Sequence, residues 1–279
     1  MPSPEPTHDH RVLPLTRYTA LAIVPIVSVA GLVLFVWPQR TATLWSWTID
    51  APLSALFIGS GYLMGAWYFV GVFRQRVWSA VSDAFVGIIV FTALMLLATL
   101  LHWDRFHHGS LMFQAWLGLY VLTPVYLPWV AWRNGSPLAA ADRSEAPDLP
   151  VWGRRALMAV GLAMVAFVGL MFAWPGLVIP LWPWTLTPLT ARVIAGWIGV
   201  AGMSLLLAGH HGQWRRCRYA FVATGVWAGL LLLALPRYWQ AFDPARGAGR
   251  AAFAAGVAAV LAGAVLTLRR MDRRAWVSP

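Results

Sequence analysis

The chain has 279 residues, 59% of them hydrophobic and 11% charged, with a mean hydropathy of +0.65 and a formal charge of +11. A soluble domain is about a quarter charged, and one soluble core of this size has no room for such long apolar stretches, so the solvent is lipid. The runs are continuous rather than alternating, which selects helices over a closed barrel. The expected fold class is therefore all-α: a polytopic transmembrane helical bundle of about eight helices in two parallel four-helix repeats.

Apolar windows fall at 18–37, 53–73, 84–103 and 111–132, then at 156–174, 193–209, 219–236 and 251–268. Most approach the ~20 residues that cross a bilayer, and the sixth is the shortest. Between them the sequence divides into a tail 1–17, a first repeat 18–133, a linker 134–155, a second repeat 156–268 and a tail 269–279. The linker carries Asp142, Arg143, Glu145 and Asp148. The polar start and the long first apolar run predict an uncleaved anchor rather than a cleaved leader.

All 21 basic residues are Arg, and they gather in the tails and in alternate loops, among them Arg74 and Arg76, Arg154 and Arg155, Arg215, Arg216 and Arg218, and Arg269, Arg270, Arg273 and Arg274. The positive-inside rule then places both termini in the cytoplasm. Anionic headgroups account for the positive charge. Without a basic groove interleaved with aromatics outside the spans, no nucleic-acid partner is expected. Expected partners are the lipid bilayer itself and other membrane subunits or further copies of the chain. Abundant Ala, Gly and Arg without Lys suggest a bacterial plasma (inner) membrane.

The two halves resemble each other. Phe35, Trp37 and Pro38 precede Leu44, Trp45, Trp47 and Thr48; Phe172, Trp174 and Pro175 precede Leu181, Trp182, Trp184 and Thr185 at identical spacing. One residue of slippage later, Pro52, Leu53 and Ala55 match Pro188, Leu189 and Ala191, and Ala84, Phe85 and Val86 match Ala220, Phe221 and Val222. Four helices per half give a parallel repeat, with a pseudo-twofold axis along the membrane normal and any cavity near it. Small residues at Gly61 and Gly65, Ala195 and Gly199, and Ala255, Ala259 and Gly263 predict close helix contacts.

Chemistry has few places to reside. His102, Asp104, Arg105, His107 and His108 form the densest polar cluster, at the external end of the third span. Such residues can bind zinc or another divalent metal, or relay protons. The second half has Tyr238 and Gln240 there instead. No two His lie at mid-span, which disfavours a midplane haem; no cofactor is expected, with a metal or an outer-face haem as the alternative. The Trp-rich loops either form an aromatic belt or fold back as an external vestibule framed by Trp45, Trp47, Thr48, Asp50, Trp182, Trp184, Thr185 and Thr187, with Ser54 adding a hydroxyl. Asp83, the carboxylate nearest a span interior, is expected to pair with Arg76, and Arg192 to snorkel to the interface. His210 and His211 lie on the other face from His102 and share no ligand with it. The lone Cys217, between two Arg, makes no intramolecular disulfide. No Walker, zincin, nucleophile-elbow or CxxC motif occurs. These readings point to a transport-like or accessory membrane bundle with Trp-rich external loops; the alternative is a membrane-embedded enzyme or redox or metal subunit using the external His/Asp cluster.

Overall fold

The computed structural model describes residues 11–135 and 148–277. Among them are eight helices long and apolar enough to cross a membrane: α1 (Pro14–Val36), α2 (Pro52–Arg74), α3 (Ser79–Leu101), α4 (Leu111–Asn134), α5 (Val151–Ala173), α6 (Pro188–His211), α7 (Trp214–Ala234) and α8 (Gly247–Val277). Even the 21 residues of α7 span about 30 Å at the helical rise, the thickness of a hydrocarbon core. The chain is a multi-pass integral membrane protein. Asp142, Arg143 and Glu145 of the expected linker lie outside the described residues.

Several helices start earlier than hydropathy indicates, because capping chemistry begins them before the apolar residues do. Pro14, Pro52 and Pro188 open α1, α2 and α6, where the missing proline N–H would have had no helical partner. Thr187 caps α6 by accepting from the Thr190 N–H (3.2 Å), and Ser110 caps α4 by accepting from the Phe113 N–H (3.1 Å). The sixth span, expected to be the shortest, has 24 residues. It ends at Gly212, whose φ of 72° is left-handed, a helix terminator that favours glycine. Two residues later α7 begins, so the end of α6 and the start of α7 are held together.

Four helices are central and four peripheral. Of the most apolar stretches, 72% of α2 and 67% of α6 are buried, against 11% of α8. In the first half α1 packs on α2 and α4 on α3; in the second, α5 packs on α6 and α8 on α7. The halves meet along two seams, α3 against α6 and α7 against α2. The closest backbone approach lies within the second half: a Cβ on Gly161 of α5 would stand 2.5 Å from the backbone N of Leu206 on α6. Of the small-residue stripes expected to join helices, Ala255 and Ala259 of α8 are exposed, and Gly263 has nothing within 4 Å. That stripe faces outward, because α8 turns its other side, through Ala264, to Gly225 of α7.

Candidate functional site

Where the two seams converge, a cavity of about 80 Å³ lies among α2, α3, α6 and α7, with α1 and α4 alongside, space for several water molecules. Its wall includes Met64 and Val200, Gly65 and Ala201, Tyr68 and Ser204, Ala84 and Ala220, Ile88 and Thr224, Phe91 and Trp227. Within every couple the residues stand 136 apart, the offset that carries Pro52 to Pro188. Gly61 and Trp197 keep that offset too, and they touch: a Cβ on Gly61 would lie 2.7 Å from the Trp197 ring. Matched positions of the two sequence halves thus line one cavity.

The cavity wall is apolar with sparse hydroxyls. Tyr62 and Tyr120 share a 2.7 Å hydrogen bond. Thr123 and Ser204 donate back to the carbonyls of Leu119 (2.7 Å) and Val200 (2.8 Å), the local bond that lets a hydroxyl sit in a buried helix. Trp197 is buried with its indole N–H unpartnered. Among the described residues no Asp, Glu, His or Arg lines the cavity, so its walls offer no counter-charge. Gly65, expected to join Gly61 in a helix contact, has nothing within 4 Å of where its Cβ would be and opens onto this space.

On the face that carries both termini the cavity ends beneath a buried ionic cluster. Tyr68, in the cavity wall, donates to the carbonyl of Val81 (2.6 Å), two residues before Asp83. Asp83 is 1% exposed. One of its oxygens accepts from Nε (3.0 Å) and Nη2 (2.7 Å) of Arg216 at the start of α7. The other accepts from Nδ1 of His211 at the end of α6 (3.1 Å). Arg216 Nη2 also donates to Ser82 (3.3 Å). A carboxylate cannot donate, so His211 carries its proton on Nδ1; its Nε2 is buried without a partner. The expected partner, Arg76, is not the one used: Asp83 points into the α3–α6–α7 junction, away from the loop that holds Arg76. The partners lie 128 and 133 residues from Asp83, too far for any local motif to signal.

On the opposite face the Trp loops fold inward. Trp45 and Trp47 are 2% and 1% exposed, and they pack edge-on against Trp116 at 5.8 and 5.0 Å between ring centres. Trp45 also meets Tyr62 of the cavity wall (5.9 Å). In the second half Trp184 donates to Ser54 (2.8 Å) and packs on Phe253 (5.0 Å), while Trp182 is half-buried beside it. Thr48, Asp50 and Thr185 stay exposed, and Thr187 is spent as the cap of α6. Trp45, Trp47 and Trp184 are thus buried and Trp182 half-buried, which removes apolar ring surface from the solvent at this end of the bundle. The space that does open beside them is a lateral groove of about 590 Å³ between α1 and α4, which shares Val27, Tyr62 and Leu119 with the axial cavity.

The histidines at the end of α3 do not converge. His102 accepts from Arg192 of α6 (2.7 Å), because a guanidinium only donates; its Nε2 lone pair is occupied by a cation. Burial first, and the Arg192 charge second, hold its pKa below the ordinary imidazole range. Arg192 thus reaches across the seam and also donates to the Phe172 carbonyl (2.9 Å) instead of snorkelling. His107 lies between the Trp45 carbonyl (3.1 Å) and the Thr48 hydroxyl (3.2 Å), and His108 donates to the Trp103 carbonyl (2.8 Å). Asp104 and Arg105 pair with each other on the surface (3.5 Å). Among the described residues no three His, Cys, Asp or Glu stand where they could hold a metal. Cys217 is buried and donates to the Gln213 carbonyl (3.0 Å). Compared with protein families, with curated proteins and with solved structures, the chain matches none.

Proposed function

We propose that the chain is a transport-like bundle of two duplicated four-helix halves that carries a small, uncharged solute through the cavity between them. The observation that carries this reading is the run of wall positions repeating at an offset of 136 residues on both sides of one cavity. A parallel duplication with its site at the repeat interface suits a carrier in which one half rocks against the other. The absence of charge from the described wall favours a neutral solute, and the unpartnered Trp197 N–H favours one bearing a hydrogen-bond acceptor. The Asp83 cluster and the Trp-lined seal are then the closures at the two ends. The Arg-rich loops favour cytoplasmic termini in a bacterial inner membrane.

Flux of small uncharged solutes into proteoliposomes tests this. Protein-containing vesicles should fill faster than empty ones. Gly65→Leu, whose Cβ would have nothing within 4 Å and whose side chain would enter the cavity, should return flux to the empty-vesicle rate while leaving the melting temperature unchanged. If vesicles with and without protein fill equally, the transport reading is wrong.

A further inference from the structure

The ionic cluster at the termini face belongs to one seam only. The offset of 136 that matches the halves carries Asp83 to Tyr219, Gln75 to His211 and Ala80 to Arg216. At the equivalent place on the other seam, Tyr219 of α7 lies over Gly71 of α2, where a Cβ would be 2.6 Å from its ring, and beside Trp67 (5.8 Å). That seam closes with aromatic packing alone, so packing does not require buried charge at this position. Charges buried in a membrane bundle without a packing need are functional by default.

His211 is the unusual member of the cluster. Its Nδ1–H is satisfied by Asp83, while its Nε2 is buried, unbonded and bare. In the neutral ring Nε2 is a lone pair, and a neutral acceptor left unpaired costs less than a charged donor does. A proton there becomes a buried N–H donor with no acceptor, on a cation beside Arg216, and these two features oppose the stronger charge-assisted bond that an imidazolium makes to Asp83. The titratable and charged groups around it come from the helices that meet there. Arg154 of α5 donates to the carbonyls of Gly209 (3.2 Å) and His210 (2.8 Å) at the same helix end. The His210 ring stands 5.1 Å from that of His211. From α7 comes Arg216, from α3 Asp83, and from α2 Tyr68, which faces Asp83. Arg154 thus caps the backbone end of α6, Arg216 shares Asp83 with the imidazole, and the Asp83 carboxylate is the ring's anionic contact among the described residues.

We propose that His211 is the binding site of a coupling proton: protonation of Nε2 breaks the Asp83–His211–Arg216 closure and opens the axial cavity toward the face carrying the termini. The proposal rests on the transport reading and names the ion to which passage is tied. The proton enters at Nε2 while the Asp83 carboxylate stays ionised and paired with Arg216. Deprotonation restores the neutral ring and the closed seam.

Thiol labelling tests it. Ser204 lines the cavity, so Ser204→Cys in a Cys217→Ser background reports access from the termini face to a membrane-impermeant maleimide. As the pH falls from about 8 to about 5, across the imidazole range, labelling should accelerate by up to about tenfold per pH unit, the slope of a single proton. His211→Gln should remove the pH dependence and leave labelling slow, and His210→Gln should leave it intact. Labelling that is brisk but independent of pH overturns the proton site and leaves the transport reading standing. Labelling absent at every pH and from both faces overturns both. If His211→Gln does not fold, the ¹⁵N shift of the wild-type His211 ring is followed instead. It must titrate over the same pH interval as labelling, and a ring that stays neutral while labelling changes refutes the proposal.

Discussion

The α3–α6 and α2–α7 seams both join the first four spans to the last four and solve the same packing problem differently. The first is tied at both ends by ionisable side chains: His102 to Arg192 at one face, and Asp83 to His211 and Arg216 at the other. The second is held by rings and neutral bonds. Phe57 packs on Trp227 at 4.9 Å, Tyr219 lies over Gly71, and Gln39 donates to Tyr238 (3.0 Å). Tyr238 is the counterpart of His102 at the repeat offset. A seam closed by aromatic contact opens at the cost of apolar packing whatever the pH, whereas a seam closed by a buried ion pair responds to any change in its charge. Two halves of similar sequence can therefore give one hinge-like contact and one switchable contact.

The largest expected effect comes from breaking the charged seam. Asp83→Ala leaves Arg216 and His211 without their shared carboxylate, and removing one partner of a buried pair costs about 3–5 kcal/mol. Tyr219→Phe at the equivalent position deletes only a hydroxyl and should stay within about 0.5 kcal/mol. Thermal unfolding in detergent, followed by intrinsic Trp fluorescence, compares the two. Equal losses would show that the seams do not differ in the way proposed.

A smaller effect should appear on the aromatic seam. Gly71→Ala drives a methyl into the Tyr219 ring, an overpacking worth about 1–3 kcal/mol. Because the obstacle is a side chain, adding Tyr219→Ala should recover part of the loss, so the two substitutions are non-additive. Strict additivity in the same unfolding assay would mean that the ring is not what limits the approach of α2 to α7.

The smallest effect belongs to His102, which is only partly shielded. Its folded pKa lies below the ordinary imidazole value through burial and then through Arg192. The unfolded chain therefore takes up a proton at a higher pH than the folded one does. Stability from this group is intact above the unfolded imidazole range, and it declines as the pH falls through that range toward the folded pKa. Wild-type protein should lose slightly more melting temperature between about pH 7.5 and about pH 5.5 than His102→Gln does. Identical pH slopes for the two proteins would remove His102 from the account of this seam.

Eight spans were legible in the sequence because lipid imposes a length and a composition on every crossing segment, and continuous apolar runs such as 84–103 report both directly. The likeness between the two halves of the sequence is visible because Trp and Pro are uncommon, so Trp45 and Trp182 or Pro52 and Pro188 stand out at matching spacing. Helix starts were less legible, since Pro188 and the Thr187 cap extend α6 through a polar residue, Arg192, that hydropathy penalises. The histidine cluster drew attention through density along the chain, yet His102, His107 and His108 turn toward three different partners. Density along a sequence says nothing about the direction of a side chain at the end of a helix. What the sequence by itself determined is the membrane class and the number of crossings, both of which follow from local composition and length. Only the tertiary structure decided that Asp83 meets residues more than 120 positions away, that Gly65 opens onto a cavity while Gly61 touches Trp197, and that one seam is ionic and the other aromatic. Those outcomes depend on which helix faces pack together, and between apolar helices in lipid that choice rests on long-range shape and on a few buried polar partners, which a one-dimensional pattern does not encode.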